Sequence, residues 1–177
     1  MKQRKESDFI GEVSLPADAL YGIHAHRAQL NFPDHSGFNF SWYKAIGVVK
    51  NACYLTYKNF RKEALNQYSE KDIHHSFLAE NRIDALIKAA EEVSLGEHFS
   101  HFIVPAVNGG AGTSINLNVS EIITNRALQM EGMSAGSYDK IHPVEHGNVF
   151  QSTNDVIPTA LKVAVMHHLE TLEVGIN

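Results

Sequence analysis

The chain has 177 residues, 44% of them hydrophobic and 20% charged, which is ordinary composition for a globular domain with a buried core. Its formal net charge is −5 and no strongly basic stretch follows Lys2, Arg4 and Lys5, which argues against a general nucleic-acid binder. No run approaches the ~20 apolar residues that span a bilayer, and Glu6-Ser7-Asp8 follows the basic opening where a secretion signal would be apolar. A lone Cys53 forms no internal disulfide and reads as a core thiol, so a cytoplasmic address is expected, with no membrane and no nucleic acid as partner.

The predicted elements begin with a short edge strand over Gly11–Pro16, stopped by proline. One helical turn over Pro16–Tyr21, ended by Gly22, is expected next, and Asn31-Phe32-Pro33-Asp34 with Ser36-Gly37 carries turn chemistry. The period then becomes helical. Trp42, Ile46, Val49, Cys53, Tyr57 and Phe60 recur at steps of three and four, with Asn39 or Ser41 as cap. Ser69 with Asp72 resembles a capping box leading into a second stripe, Ile73, Phe77, Ile83, Leu86, Ala90 and Val93. A third helix is expected from Thr113 to about Met130. A fourth starts near Asp155 or Pro158, since proline suits a first helical position, and carries Ile157, Leu161, Val165 or Ala164, and Leu169 or Leu172.

Three segments could carry chemistry. Asn108-Gly109-Gly110-Ala111-Gly112-Thr113-Ser114 precedes a helix; glycines allow close backbone approach and a helix N-terminus favours an anion, while a plain turn capped by Thr or Ser explains it equally well. Gln151-Ser152-Thr153-Asn154-Asp155 is either a capping loop or a set of neutral hydrogen-bonding groups around a ligand. His142-Pro143-Val144-Glu145-His146 matches a zinc-hydrolase pattern, but only if a helix begins at Pro143, and no third ligand is signalled. The histidine pairs His24/His26, His74/His75, His98/His101 and His167/His168 read as solvated or core-edge positions. Neither a metal nor a cofactor is expected.

Taken together and in order, these segments resemble the aspartase/fumarase superfamily. Asp8-Phe9-Ile10-Gly11-Glu12, Leu15-Pro16-Ala17-Asp18-Ala19-Leu20-Tyr21-Gly22 and Asn31-Phe32-Pro33 are similar to that family's opening. Gly109–Ser114 with Asn116 and Asn118 is similar to its first substrate loop, and Gln151–Asp155 with Pro158-Thr159-Ala160 to its second. Ala111-Gly112-Thr113-Ser114 and Ser152-Thr153 lean toward aspartate ammonia-lyases; fumarate hydratase is the alternative, and a non-catalytic interaction fragment is a third.

The resemblance implies a mostly α fold: an N-terminal helical domain with a small β element over residues 1–150, then the second loop and truncated first helix of the central bundle over residues 151–177. It implies elimination of ammonia from aspartate to give fumarate, in a parent enzyme that is a homotetramer. By the same resemblance Thr113, Ser152 and Thr153 would hold the carboxylate beside the departing proton, and Thr113 and Asn154 would also contact the amine. Val144 and Glu145 after His142-Pro143, and Gly147 and Phe150, depart from the family's usual residues. The family's flexible Gly-Ser-Ser loop, which carries the base, is expected beyond Asn177. No catalytic residue is therefore assigned within this chain, which is expected to be inactive alone and to leave the apolar stripe of its last helix uncovered.

Overall fold

Strands β1 (Gln3–Asp8) and β2 (Gly11–Pro16) form an antiparallel hairpin in register from Gln3↔Pro16 to Asp8↔Gly11. The computed structural model describes residues 2–69, 71–73 and 76–176. The turn closes because Asp8 Oδ1 accepts the N–H groups of Ile10 and Gly11 at 2.9 and 3.1 Å, and Gly11 adopts the φ of +138° that a Cβ would oppose. β2 is the expected strand. β1 was not legible, because its charged residues read as a basic tail rather than as one face of a ribbon.

Five helices follow among the described residues: α1 (Ile23–Asn31), α2 (Phe40–Gln67), α3 (Glu80–Leu95), α4 (Thr113–Met130) and α5 (Thr153–Ile176). The molecule is thus mostly α with one small β element. The turn expected over Pro16–Tyr21 is a single hydrogen-bonded reversal, Ala19 N–H to Pro16 C=O, and Gly22 precedes α1 instead of ending a helix. Glycine is required there: a Cβ on Gly22 would lie 2.5 Å from the Tyr138 hydroxyl and 2.7 Å from Glu121 Oε1.

That contact marks a buried polar hub. Glu121 accepts the N–H groups of Gly22, His24 and Ala25 at 2.8–3.1 Å, and Glu6 accepts that of Ile23 at 2.8 Å, so two carboxylates satisfy the N-terminus of α1. Arg4 bonds Glu6 and three carbonyls, of Pro16, Ala19 and Tyr21, which fastens the hairpin to the helices. Burial pushes the Glu121 carboxyl up to about 8, against the opposing pull of its three N–H donors.

Helix α2 is capped by Asn39, whose Oδ1 accepts Trp42 N–H at 2.9 Å. Its buried face is rotated from the expected stripe. Tyr43, Ile46, Gly47, Lys50, Tyr54 and Tyr57 are buried, whereas Phe60 is 53% exposed and Cys53 is half-buried rather than in the core. Gly47 lets α2 touch α3, since a Cβ would sit 2.5 Å from Ser94 N. Helix α3 starts at Glu80, later than expected. Ser69 and Asp72 bond each other in an isolated turn, so the capping box forms no helix start. Ile83, Leu86, Ala90 and Val93 are buried as expected. The His74/His75 pair lies outside the described residues.

Helix α4 keeps the expected limits and is buried nearly all round, including Asn116, Asn118, Ser120, Glu121, Thr124 and Asn125. Helix α5 starts at Thr153, earlier than expected, which leaves Pro158 inside the helix instead of at its first position. Val156, Ile157, Ala160 and Ala164 face the core. Leu161, Val165, Leu169 and Leu172 are 42–57% exposed, as expected for an uncovered stripe.

Candidate functional site

The glycine-rich loop enters α4 through three successive left-handed residues, Gly110 (φ 81°), Ala111 (φ 53°) and Gly112 (φ 84°). Neither Thr113 nor Ser114 caps the helix, whose N-cap is Gly112 without a side-chain bond. Instead the Thr113 hydroxyl donates to Gly110 C=O at 2.8 Å. A carbonyl cannot donate, so the Thr113 proton is committed inward and its lone pairs face out.

The second loop reaches α5 through Phe150, which holds φ 53° while 67% exposed, an unusual conformation for an aromatic residue. Ser152 then caps α5. Its Oγ accepts Asn154 N–H and its own N–H donates to Asp155 Oδ2, both at 3.1 Å, which is a reciprocal capping box. The Ser152 proton is therefore left over. Thr153 is half-buried, and its Oγ1 accepts from Asn116 Nδ2 at 3.2 Å.

The two loops meet. A Cβ on Gly112 would lie 3.0 Å from Ile157 Cγ2, and Asn116, one turn into α4, reaches Thr153 at the first turn of α5. Two helix N-termini thus face one region, an arrangement that favours an anion. Thr113, Ser152 and Asn154 are solvent-exposed at these ends, open to a ligand.

Beneath them lies a residue that periodicity did not single out. Lys50 is fully buried on α2, and its Nζ donates to Gly147 C=O, Asn148 Oδ1 and Gln151 Oε1 at 3.2–3.3 Å. Burial without a facing carboxylate pushes its ammonium down to about 7. Asn148 Oδ1 also accepts from Asn116 Nδ2 at 3.0 Å, and Tyr54 donates its hydroxyl to Gly147 C=O. The signal was available: Lys50 shares the face of Ile46, Tyr54 and Tyr57, where a charge needs partners.

The zinc pattern fails on geometry. Residues 142–146 form turns and no helix, and the Nδ1 atoms of His142 and His146 both accept backbone N–H groups. Among the described residues, only Glu92, Glu97 and His98 cluster as metal ligands could. Glu92 there is already held by Arg126 at 2.7 and 2.9 Å and by His98 Nε2 at 2.6 Å. A mostly apolar groove of about 650 Å³, lined by Val48, Cys53, Tyr57, Phe60 and Phe150 with Thr159, lies beside the second loop.

A family profile described as "Lyase" matches residues 11–177. The chain belongs to this lyase family. Similar relatives of this lyase chain include an aspartate ammonia-lyase from Bacillus sp, 39% identical over 171 residues, covering 96% of the chain and 33% of the relative. A class II fumarate hydratase from Halobacterium salinarum is 39% identical over 168 residues, covering 94% and 32%. The cobalt-bound crystal structure of a fumarate lyase:delta crystallin from Brucella melitensis superposes with a TM-score of 0.83 at 34% identity, covering 98% of the chain and 35% of that structure. The chain thus spans about a third of the length of the relatives it matches. None of its described helices is long and apolar enough to cross a membrane.

Proposed function

We propose that this chain supplies the first two substrate loops of an aspartate ammonia-lyase, with Thr113, Ser152, Thr153 and Asn154 as the residues that meet the substrate. One observation supports this most: the hydrogen-bond partners of the three hydroxyls, from which the roles of their protons follow. Ser152 and Thr153 each accept an internal N–H, so their protons are free to bind a carboxylate. Thr113 has its proton on Gly110, so its lone pairs suit an ammonium group. A dicarboxylate that also bears an amine matches that division.

In the reaction, a base removes a proton from the carbon next to one carboxylate, and negative charge builds on that carboxylate's oxygens. The electron pair then forms the C=C bond while the C–N bond breaks, giving fumarate and ammonia. Donors fixed where charge develops lower this barrier. On this reading the base and its flexible serine loop come from chain outside residues 1–177, and the 177-residue chain is inactive alone. Residues 1–150 form the helical domain, residues 151–177 open the central bundle, and the parent enzyme is a cytoplasmic homotetramer. Fumarate hydratase is the second reading, favoured by the equal identity of the Halobacterium salinarum relative.

The test replaces the matching third of the Bacillus sp aspartate ammonia-lyase with residues 1–177 and follows fumarate by ultraviolet absorbance. Aspartate should yield fumarate, malate should not, and the chain alone should do neither. Formation of fumarate from malate only would select the hydratase reading, and turnover by the chain alone would overturn the shared-site reading.

A further inference from the structure

We propose that Lys50 is a positioning residue that fixes the direction of a hydrogen-bond relay, Lys50–Asn148–Asn116–Thr153, and so makes Thr153 an outward donor. The inference rests on the reading of Thr153 as a carboxylate ligand and adds what enforces that role.

Each step follows from donor and acceptor chemistry. Nζ faces three oxygens at once, which takes all three protons of an ammonium, so in that charged form Lys50 only donates and Asn148 must turn its Oδ1 toward it, at 3.3 Å. That leaves Asn148 Nδ2 to donate to Gln151 C=O, as it does at 2.8 Å. The same Oδ1 is 3.0 Å from Asn116 Nδ2, so Asn116 must present its N–H₂ to Asn148. Its other N–H then points at Thr153 Oγ1, 3.2 Å away. With Asn116 donating to its oxygen, Thr153 keeps its own proton for an acceptor outside the chain.

The reverse arrangement is closed by the lysine. If Asn116 rotated its amide, its oxygen would face Asn148 Oδ1, acceptor against acceptor. If Asn148 rotated as well, its N–H₂ would face an ammonium. The orientation has a visible consequence: Asn116 Oδ1 and Gln151 Nε2 are buried without a hydrogen-bond partner among the described residues. Buried amides ordinarily satisfy both ends, so something overrides their preference. A donor-only cation at the root of the relay does so.

Solution NMR of the 177-residue chain, with fumarate binding read on the aspartate ammonia-lyase chimera that carries residues 1–177, tests this. In the free protein the side-chain amide protons of Asn116 and Asn148 should exchange slowly with water. Lys50→Met should speed that exchange at least tenfold and Lys50→Arg should restore it, since guanidinium also only donates. Lys50→Met and Thr153→Val should each weaken fumarate binding about tenfold, and the double variant should lose no more than either alone, because both act through one hydroxyl. Additive losses, or Asn116 exchange unchanged in a folded Lys50→Met, would overturn the relay. Should Lys50→Met not fold, Asn148→Leu reads the same step, because Leu removes the acceptor that orients Asn116, and unchanged Asn116 exchange there would overturn the relay. Slow exchange that depends on Lys50, with no fumarate binding by the aspartate ammonia-lyase chimera that carries residues 1–177, supports the relay and counts against the dicarboxylate reading.

Discussion

Substituting Gly112 by alanine tests the junction of the two loops. Two separate penalties follow from the structure. Gly112 holds φ +84°, a left-handed conformation that costs an L-residue roughly 1–2 kcal/mol. The added Cβ would also stand 3.0 Å from Ile157 Cγ2 and 3.2 Å from Cγ1, tighter than ordinary contact, for roughly another 1 kcal/mol of overpacking. A total of about 2–3 kcal/mol, at ~2–4 °C per kcal/mol for a domain of this size, lowers Tm by about 4–12 °C in a circular-dichroism melt. Gly110→Ala separates the parts: it shares the left-handed φ of +81° but meets nothing within 4 Å, so it should show the backbone penalty alone. Equal losses in the two variants would mean that the loop does not press on α5. A Gly112→Ala melt within a degree of the wild type would refute the left-handed turn itself.

Three further outcomes are expected. Gly47→Ala would gain about 1 kcal/mol of helix propensity on an open surface, but here its Cβ meets Ser94 N at 2.5 Å and Val93 C at 2.8 Å, backbone that cannot step aside; urea unfolding should show a net loss of about 1–3 kcal/mol. Ser152→Ala removes the cap of α5 and should cost about 1 kcal/mol, with faster amide exchange at Asn154; an unchanged exchange rate would deny the cap. The hydrogen-bonded Arg126 guanidinium holds the Glu92 carboxyl below its ordinary 4.5, so this pair stabilises fully above that value and loses its contribution as pH falls through the lower folded value. Melts of Glu92→Gln and wild type should therefore converge under acid conditions and diverge toward neutrality.

Where one kind of side chain decided a local structure, the sequence was a sound guide. The limits of α4 followed from glycines before it and apolar spacing within it, and Asn39 announced α2 through its own hydrogen bond. What escaped notice depends on partners distant along the chain. Helix α1 has no cap of its own; its first turn is satisfied by Glu6 and Glu121, so nothing near residue 22 marks its start. The face of α2 was misjudged by one step because Lys50 and the tyrosines, amphipathic groups with polar ends, occupy the core side while Phe60 is left outside. At the site, the hydroxyl and amide residues were legible as a set. The direction of the Thr153 hydroxyl was not, because on the proposed relay it is set by Lys50 on α2, about a hundred residues earlier in the chain.

Pro158 gives the start of α5 a mechanical character of its own. Proline has no N–H to offer the carbonyl of Asn154, and its ring crowds that carbonyl, so the ladder of the helix is interrupted just after its first turn. The segment from Ser152 to Ile157 is consequently held by its cap, by Asn116 and by Gly112, more than by the rest of the rod. A missing rung of this kind makes the start of α5 depend less on the backbone ladder of its outer turns and more on the α4 residues that grip it.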